Sequence, residues 1–242
     1  MIRALLSITL RGLLNRRRTL LLMLGGALLL LIAALFRLSD PSEPESLRFT
    51  GRLLADFGLA VLLPLVAVIV GTAVIGSELD DGTIIYVLAR PVPRALVVAV
   101  RFAVAWVVVA VLVAVPILLG GLIGAGGQSE LAVAYAVASV LGALEYTAVF
   151  VALSLVTSRA LVAGLAYVVV WEGVVAGLFA GTRIFSIRQH ALAVGDALAG
   201  EGAVTAELEP LTALIVAVAV TVLALVLALR RLERVELRGE TS

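Results

Sequence analysis

Residues 57–76 read FGLAVLLPLVAVIVGTAVIG, and residues 77–94 continue as SELDDGTIIYVLARPVPR. The first stretch carries no charge and is as long as the roughly 20 helical residues that cross a hydrocarbon core about 30 Å thick. The second stretch concentrates acids, arginines and two prolines. The pair of stretches therefore predicts a membrane-crossing helix that ends in a polar segment at the membrane surface.

The composition of the whole chain agrees with a membrane protein. Of the 242 residues, 62% are hydrophobic and 14% are charged, whereas soluble domains are about half apolar and a quarter charged. The absence of cysteine excludes disulfides and thiolate metal sites. The single histidine, His190, has no cluster of potential ligands around it in the sequence, so we predict no metal site and expect His190 to be an interfacial side chain.

Six apolar runs are long enough to cross a membrane. Each must be a helix, because backbone groups facing lipid need internal partners, and the continuous hydrophobicity does not fit the alternating strands of a barrel. We predict an all-α membrane protein with a single transmembrane domain over residues 1–242. Its spans are approximately Thr19–Phe36, Phe57–Gly76, Ala95–Leu119, Leu131–Val156, Ala160–Gly181 and Leu211–Leu229.

The arginines indicate the orientation of these spans. Arginines lie before the first span, around the start of the third, at residue 159 between the fourth and fifth, and after the sixth. The three arginines of the connection after the first span, at residues 37, 48 and 52, are accompanied by four acids. Because positively charged connections stay on the cytoplasmic side, we predict that both termini and residues 77–94 are cytoplasmic. The connection 182–210 is then on the outer side, and its apolar content predicts a re-entrant segment.

Residues 1–18 carry arginines at helical spacing between leucines and isoleucines. This pattern predicts an amphipathic helix on the membrane surface, with its basic side chains toward anionic lipid. A signal peptide is the alternative, but the apolar run that follows is too long and no small-residue cleavage site comes after it. The arginines of this predicted surface helix are Arg3, Arg11, Arg16, Arg17 and Arg18.

The polar segment 77–94 has the pattern of a short helix. Asp80 and Asp81 form an acidic start that suits a helix N-terminus. A short apolar face follows, and Arg90–Pro91 stops the helix. The pattern alone leaves two interpretations open, a short surface helix that transmits force from a soluble partner and a solvated loop.

The sequence GSELDDGTIIYVLARPVPR resembles the segment after the second span in permease subunits of type-2 ABC exporters. There, a glutamate precedes Gly-Thr, a leucine-containing turn and Arg-Pro-x-x-Arg. The resemblance extends to the six spans and the N-terminal surface helix, and it implies that this segment docks on an ATPase. The candidate coupling residues are Glu78, Asp81, Gly82, Thr83, Leu88, Arg90, Pro91 and Arg94.

The resemblance also implies partners. A phosphate-binding loop needs a lysine, and the chain has none. ATP and Mg would therefore be held by two separate ATPase subunits, while this chain would bind no cofactor and carry no catalytic residue. The implied assembly also contains a second permease subunit, most simply another copy of this chain, in the lipid of a prokaryotic cytoplasmic membrane, with no nucleic acid.

Two carboxylates, Glu145 and Glu172, lie within predicted spans. Ionisable groups at such depth cost on the order of 3 kcal/mol, so they are functional candidates. Glu145 lies 13 residues before Ser158 and Glu172 lies 13 after Arg159, which places both roughly 20 Å from that turn at 1.5 Å per residue. No arginine lies at this depth, so we expect no salt bridge. The acids either line a substrate path or hydrogen-bond to neighbours such as Tyr146, Thr147 and Tyr167.

The predicted function is export of a lipophilic or amphiphilic substrate by an ATP-driven permease. Two alternatives remain open. In a proton-coupled secondary transporter, Glu145 and Glu172 would carry the proton. In a non-transporting assembly or sensor protein, residues 77–94 would be a docking site only.

Overall fold

The computed structural model describes residues 16–80, 93–199 and 204–236. This part of the chain is helical and contains no strand. In order, its elements are α1 (Arg16–Arg37), α2 (Glu43–Arg52), a π-helical stretch (Leu53–Leu62), α3 (Leu63–Asp80), α4 (Arg94–Gly124), α5 (Ser129–Val156), α6 (Ala160–Ala166), a second π-helical stretch (Tyr167–Val175), α7 (Ala176–Leu178), a 3-10 helix (Ala180–Phe185), α8 (Ile187–Leu198) and α9 (Pro210–Glu236).

Six of the described helical segments are long and apolar enough to cross a membrane, which confirms the predicted fold class. We call them the first to sixth spans: Leu20–Arg37, Glu43–Gly76, Arg94–Gly124, Ser129–Val156, Ala160–Leu178 and Pro210–Glu233. The second span begins at Glu43 rather than at Phe57, because a local cap starts a helix in the polar stretch before it. The Ser42 backbone N–H and hydroxyl both donate to the Glu45 carboxylate, at 3.1 and 2.8 Å.

The second and fourth spans form the centre of the bundle. Within the most apolar 18 residues of each span, 72% of the residues are buried in the second span and 67% in the fourth. The corresponding fractions are 22% in the first span, 17% in the fifth and 22% in the sixth. The three less buried spans present their leucines and valines outward, as a surface facing lipid does. The fourth span contacts the second, third and sixth spans and also α8.

Small residues allow the central spans to approach closely. A Cβ at Gly71 would lie 2.9 Å from the Phe150 Cβ, and one at Gly142 would lie 2.6 Å from a Leu63 methyl. These distances are shorter than ordinary van der Waals contact, so only glycine fits without movement of the neighbours. This is the small-residue packing that lets transmembrane helices gain dispersion contacts where no hydrophobic driving force exists.

The bundle has two ends of different construction. The cap end contains Gly124, Ser129 and the cap segment, which we define as residues 180–199. The turn end contains Asp80, Arg94 and the turn 157–159. Within the cap segment, α8 runs antiparallel to the fourth span and is about 18 Å long. It therefore reaches deep into the bundle beside Glu145.

Candidate functional site

The structure brings the two predicted membrane acids to one segment of chain. Glu145 projects from the fourth span and Glu172 from the π-helical stretch of the fifth, and both contact the beginning of α8. Their side chains are closed off from solvent, with 0% of Glu145 and 7% of Glu172 exposed. Buried carboxylates require partners, and the cap segment supplies most of them.

Glu172 accepts three hydrogen bonds at the N-terminus of α8. The Tyr167 hydroxyl donates at 3.1 Å, the Ile187 backbone N–H donates at 2.8 Å, and the Ser186 hydroxyl makes a short bond to the other oxygen. Ser186 is the N-cap residue and accepts from the Gln189 N–H at 3.3 Å. Glu172 thus satisfies an N–H group that the helix itself leaves unpaired, and its charge faces the positive end of the helix dipole.

Glu145 pairs with His190, which lies in the first turns of α8. The His190 Nδ1 lies 3.0 and 3.1 Å from the two Glu145 oxygens, and its Nε2 lies 2.9 Å from the Ile184 carbonyl oxygen. Only 1% of His190 is exposed. The expectation of an interfacial His190 was therefore wrong. No salt bridge was expected at Glu145, because no arginine lies at its depth, and the structure places an ionisable histidine there instead. The partner comes from a segment that re-enters the bundle, so a search of the spans for arginine could not find it.

Further contacts fix the cap segment and the chain after it. Arg188 forms an ion pair with Asp56 of the second span at 2.8 Å. The Trp171 indole N–H donates to the Phe185 carbonyl at 3.2 Å, and the Val204 N–H donates to the Tyr135 hydroxyl at 3.1 Å. Residues of the second, fourth and fifth spans therefore all contact the connection between the fifth and sixth spans. The tyrosine contacts were anticipated in part, since Tyr167 was among the predicted hydrogen-bond partners.

The turn end contains a buried arginine that sequence reasoning used only for orientation. Arg101 of the third span is 3% exposed, and its Nη1 donates to the Val74 carbonyl oxygen at 3.0 Å. Val74 lies three residues before Ser77, where the polar segment begins. The contact therefore joins the two spans on either side of residues 77–93. A charged residue within an apolar run is the sequence signal that could have identified Arg101.

An open cleft adjoins the same end. It has a volume of about 380 Å³ and lies between the second, fourth and fifth spans, with polar groups from Thr72, Ser154 and Arg159 in its lining. Among the described residues, no group of three or more acidic or histidine side chains could hold a metal ion.

Among the predicted coupling residues, Arg94 lies within the described part of the chain. Arg94 is described as a half-buried residue at the start of α4. The side chains of the remaining candidates lie outside the described residues: Glu78, Asp81, Gly82, Thr83, Leu88, Arg90, Pro91, Arg3, Arg11, Arg16, Arg17 and Arg18.

Comparison with known proteins gives one family. The model of a family described as "ABC-2 family transporter protein" matches residues 14–189. The match includes the first five spans, both buried glutamates and the segment 77–94, and it ends one residue before His190. No curated protein matches the chain at a significant level.

Proposed function

Because the chain belongs to the ABC-2 transporter family and is a multi-pass transport permease, we propose that it is the membrane subunit of an ATP-driven exporter. The family match over residues 14–189 carries this proposal. ATP and Mg would be bound by two separate ATPase subunits, and a second permease subunit, most simply another copy of this chain, would complete the path.

In this proposal the turn end faces the cytoplasm of a prokaryotic cell and the cap end faces outward. The arginines around residues 90–101, at residue 159 and after residue 229 support this orientation. Six crossings would put both termini on the cytoplasmic side. The cap segment would then close the outer end of the path, which is consistent with its deep seat between spans.

The coupling mechanism follows from the connections at the turn end. An ATPase that presses on residues 77–94 would act on the second and third spans together, because Arg101 links them at Val74. The second span packs closely on the fourth through Gly71 and Gly142. The displacement would thus reach Glu145 and the cap segment as a rigid-body movement of packed helices.

The exported molecule is proposed to be lipophilic or amphiphilic. The described spans are predominantly apolar, and Glu145 and Glu172 have their oxygens engaged by side chains and backbone of the chain itself. We assign these acids to the seating of the cap segment in preference to substrate contact. Replacing each with glutamine tests this directly, since unchanged export by an intact complex would remove both acids from the substrate path.

Copurification tests the proposed partnership. The tagged chain, isolated from its native membrane in a mild detergent, is expected to retain an ATP-binding subunit. Substituting Glu78, Gly82 and Thr83 together should remove that subunit. Matched substitutions at Ser129 and Glu130, which are exposed at the cap end, should leave it bound. Absence of any ATPase from a preparation that keeps such complexes intact would contradict the exporter proposal.

The buried Glu145–His190 pair supports a second candidate, a proton-coupled secondary transporter. This candidate requires flux without an ATPase. In vesicles that contain only this chain, an imposed pH gradient would drive a fluorescent lipid analogue across the membrane, and Glu145→Gln would stop it. The exporter proposal expects no flux under these conditions.

A further inference from the structure

We infer that Glu145 and His190 share a single hydrogen and that this bond, built on the Ile184 carbonyl, positions the cap segment against the fourth span. His190 is then a positioning residue that acts through α8. The inference concerns contacts within this chain, so it can be tested without the ATPase partner or the substrate.

The Ile184 carbonyl determines where one hydrogen of His190 lies. It is 2.9 Å from Nε2, and a carbonyl oxygen can only accept a hydrogen bond. The Nε2 atom must therefore carry hydrogen. This requirement fixes the tautomer of a neutral His190 and leaves Nδ1 facing Glu145.

The contact between Nδ1 and Glu145 then contains one hydrogen in each workable arrangement. If Glu145 is ionised, His190 is doubly protonated and Nδ1–H donates to the carboxylate. If Glu145 is protonated, its hydroxyl donates to the bare Nδ1. An ionised Glu145 beside a neutral His190 would place two acceptors 3.0 Å apart without a hydrogen between them. In both workable arrangements the pair has no net charge, which explains how both side chains remain at or below 1% exposure.

Glu172 also binds the beginning of α8, but it does so only as a hydrogen-bond acceptor. The Ile187 N–H is a fixed donor, and two hydroxyls add to it, so the site suits a carboxylate that only accepts. Ile187 and His190 are three residues apart and lie on the same face of α8. The cap segment is consequently held at two adjacent points by acids from two different spans.

Small residues of α8 and the fourth span also face each other. A Cβ at Gly142 would lie 3.4 Å from the Ala191 Cβ, and one at Gly195 would lie 3.5 Å from the Ala138 Cβ and 3.8 Å from the Tyr135 ring. Small residues permit close approach but provide few features that would fix one register. The polar pair supplies that register, because a shift of α8 would leave buried polar atoms without partners.

A cysteine reporter can measure the seating of α8 directly. The chain has no cysteine, so Ala193→Cys, at a position with 0% exposure in α8, introduces one thiol. Its labelling rate with a membrane-impermeant maleimide, on purified protein in nanodiscs, reports local opening. A second reporter, Ala105→Cys, occupies a position with 0% exposure in the third span and distinguishes local opening from global unfolding.

Two variants of His190 separate its two bonds. In His190→Asn the amide nitrogen can occupy the place of Nδ1 and still donate to Glu145, whereas in His190→Gln it can occupy the place of Nε2 and bond only to Ile184. A buried group left without its hydrogen-bond partner is worth roughly a tenfold change or more in an opening equilibrium. We therefore expect labelling of Ala193→Cys to rise about tenfold in His190→Gln and less than about threefold in His190→Asn.

Substitutions of Glu145 provide the reciprocal test. The amide of Glu145→Gln can donate to the bare Nδ1, so labelling should stay within about threefold of the parent. Glu145→Leu cannot bond to His190 and should raise labelling about tenfold, as His190→Gln does, because both variants lose the same contact and keep the bond to Ile184. If Glu145→Leu also exposes Ala105→Cys, the Asn and Gln variants carry the test alone. Equal labelling in His190→Asn and His190→Gln, or parental labelling in both, would overturn the inference.

Discussion

The two ends of the bundle are held together in different ways. At the cap end, Glu172, Glu145 and Asp56 from three spans converge on the beginning of α8. At the turn end, the described residues leave an open cleft of about 380 Å³ beside Ser154 and Arg159, and Arg101 links the second and third spans. Buried polar contacts specify one arrangement strongly, since each broken bond leaves an unsatisfied group. The cap end is therefore built to keep one register, while the turn end leaves room next to the segment that we propose receives the ATPase.

The largest effect is expected from Glu172→Leu. The substitution leaves the Tyr167 and Ser186 hydroxyls and the Ile187 N–H without their acceptor, at about 1–3 kcal/mol for each unsatisfied group. We expect a loss of about 3 kcal/mol or more in stability, measured as a lower Tm in detergent. Glu130→Leu, at an exposed position, is the control. Equal Tm values for the two variants would show that the cap end is not held by Glu172.

A smaller effect is expected from Arg101→Met at the turn end. The change removes the donor to the Val74 carbonyl, and hydrogen bonds from charged groups contribute about 1.5–3 kcal/mol. We expect a Tm reduction smaller than that of Glu172→Leu, together with weaker retention of the ATPase in copurification. Arg101→Lys, which keeps the charge, should retain more ATPase than Arg101→Met. Full retention of the ATPase by Arg101→Met would show that Arg101 is not needed for binding of the ATPase.

Two glycines test whether packing differs between the ends as the polar contacts do. At Gly121, near the cap end, a Cβ would lie 2.7 and 2.8 Å from the Cβ and Cα of Ala132. At Gly76, beside the cleft, it would lie 3.5 Å from the Ser154 Cβ, which is ordinary contact. Gly121→Ala should therefore cost about 1–3 kcal/mol, and Gly76→Ala, inside a helix, should leave stability unchanged or raise it by up to about 1 kcal/mol. Thermal unfolding of both variants measures these changes. A greater loss of stability in Gly76→Ala than in Gly121→Ala would contradict the proposed difference in packing between the two ends.

The smallest effect on the seating of the cap segment is expected at its rim. Asp56 is 65% exposed in its ion pair with Arg188, and exposed pairs contribute at most about 1 kcal/mol. We expect Asp56→Asn to raise labelling of Ala193→Cys less than His190→Gln does. A larger effect of Asp56→Asn would place the main attachment of the cap at its rim and not at its buried acids.

The sequence predicts six spans, the number that the described residues contain, because membrane crossing depends on length and hydropathy, which are local properties. The beginning of the second span was missed because Glu43–Arg52 is polar, and its helix depends on the cap between Ser42 and Glu45. The equal spacing of Glu145 and Glu172 from the turn predicts the same depth for both acids, and both contact the beginning of α8. Tyr167 was among the predicted partners, but His190 and Ser186 could not be predicted, because they reach the acids only when the cap segment re-enters the bundle. That arrangement depends on long-range packing.

The link between the two ends is tested most directly by labelling Ala193→Cys in the complete complex, with and without ATP. If ATP-driven movement at residues 77–94 reaches the cap segment, ATP should raise the labelling rate. Substitution of Glu78, Gly82 and Thr83, which we expect to remove the ATPase subunit, should abolish that rise while leaving the ATP-free rate unchanged. A labelling rate that does not respond to ATP, in a complex that hydrolyses ATP, would contradict the account.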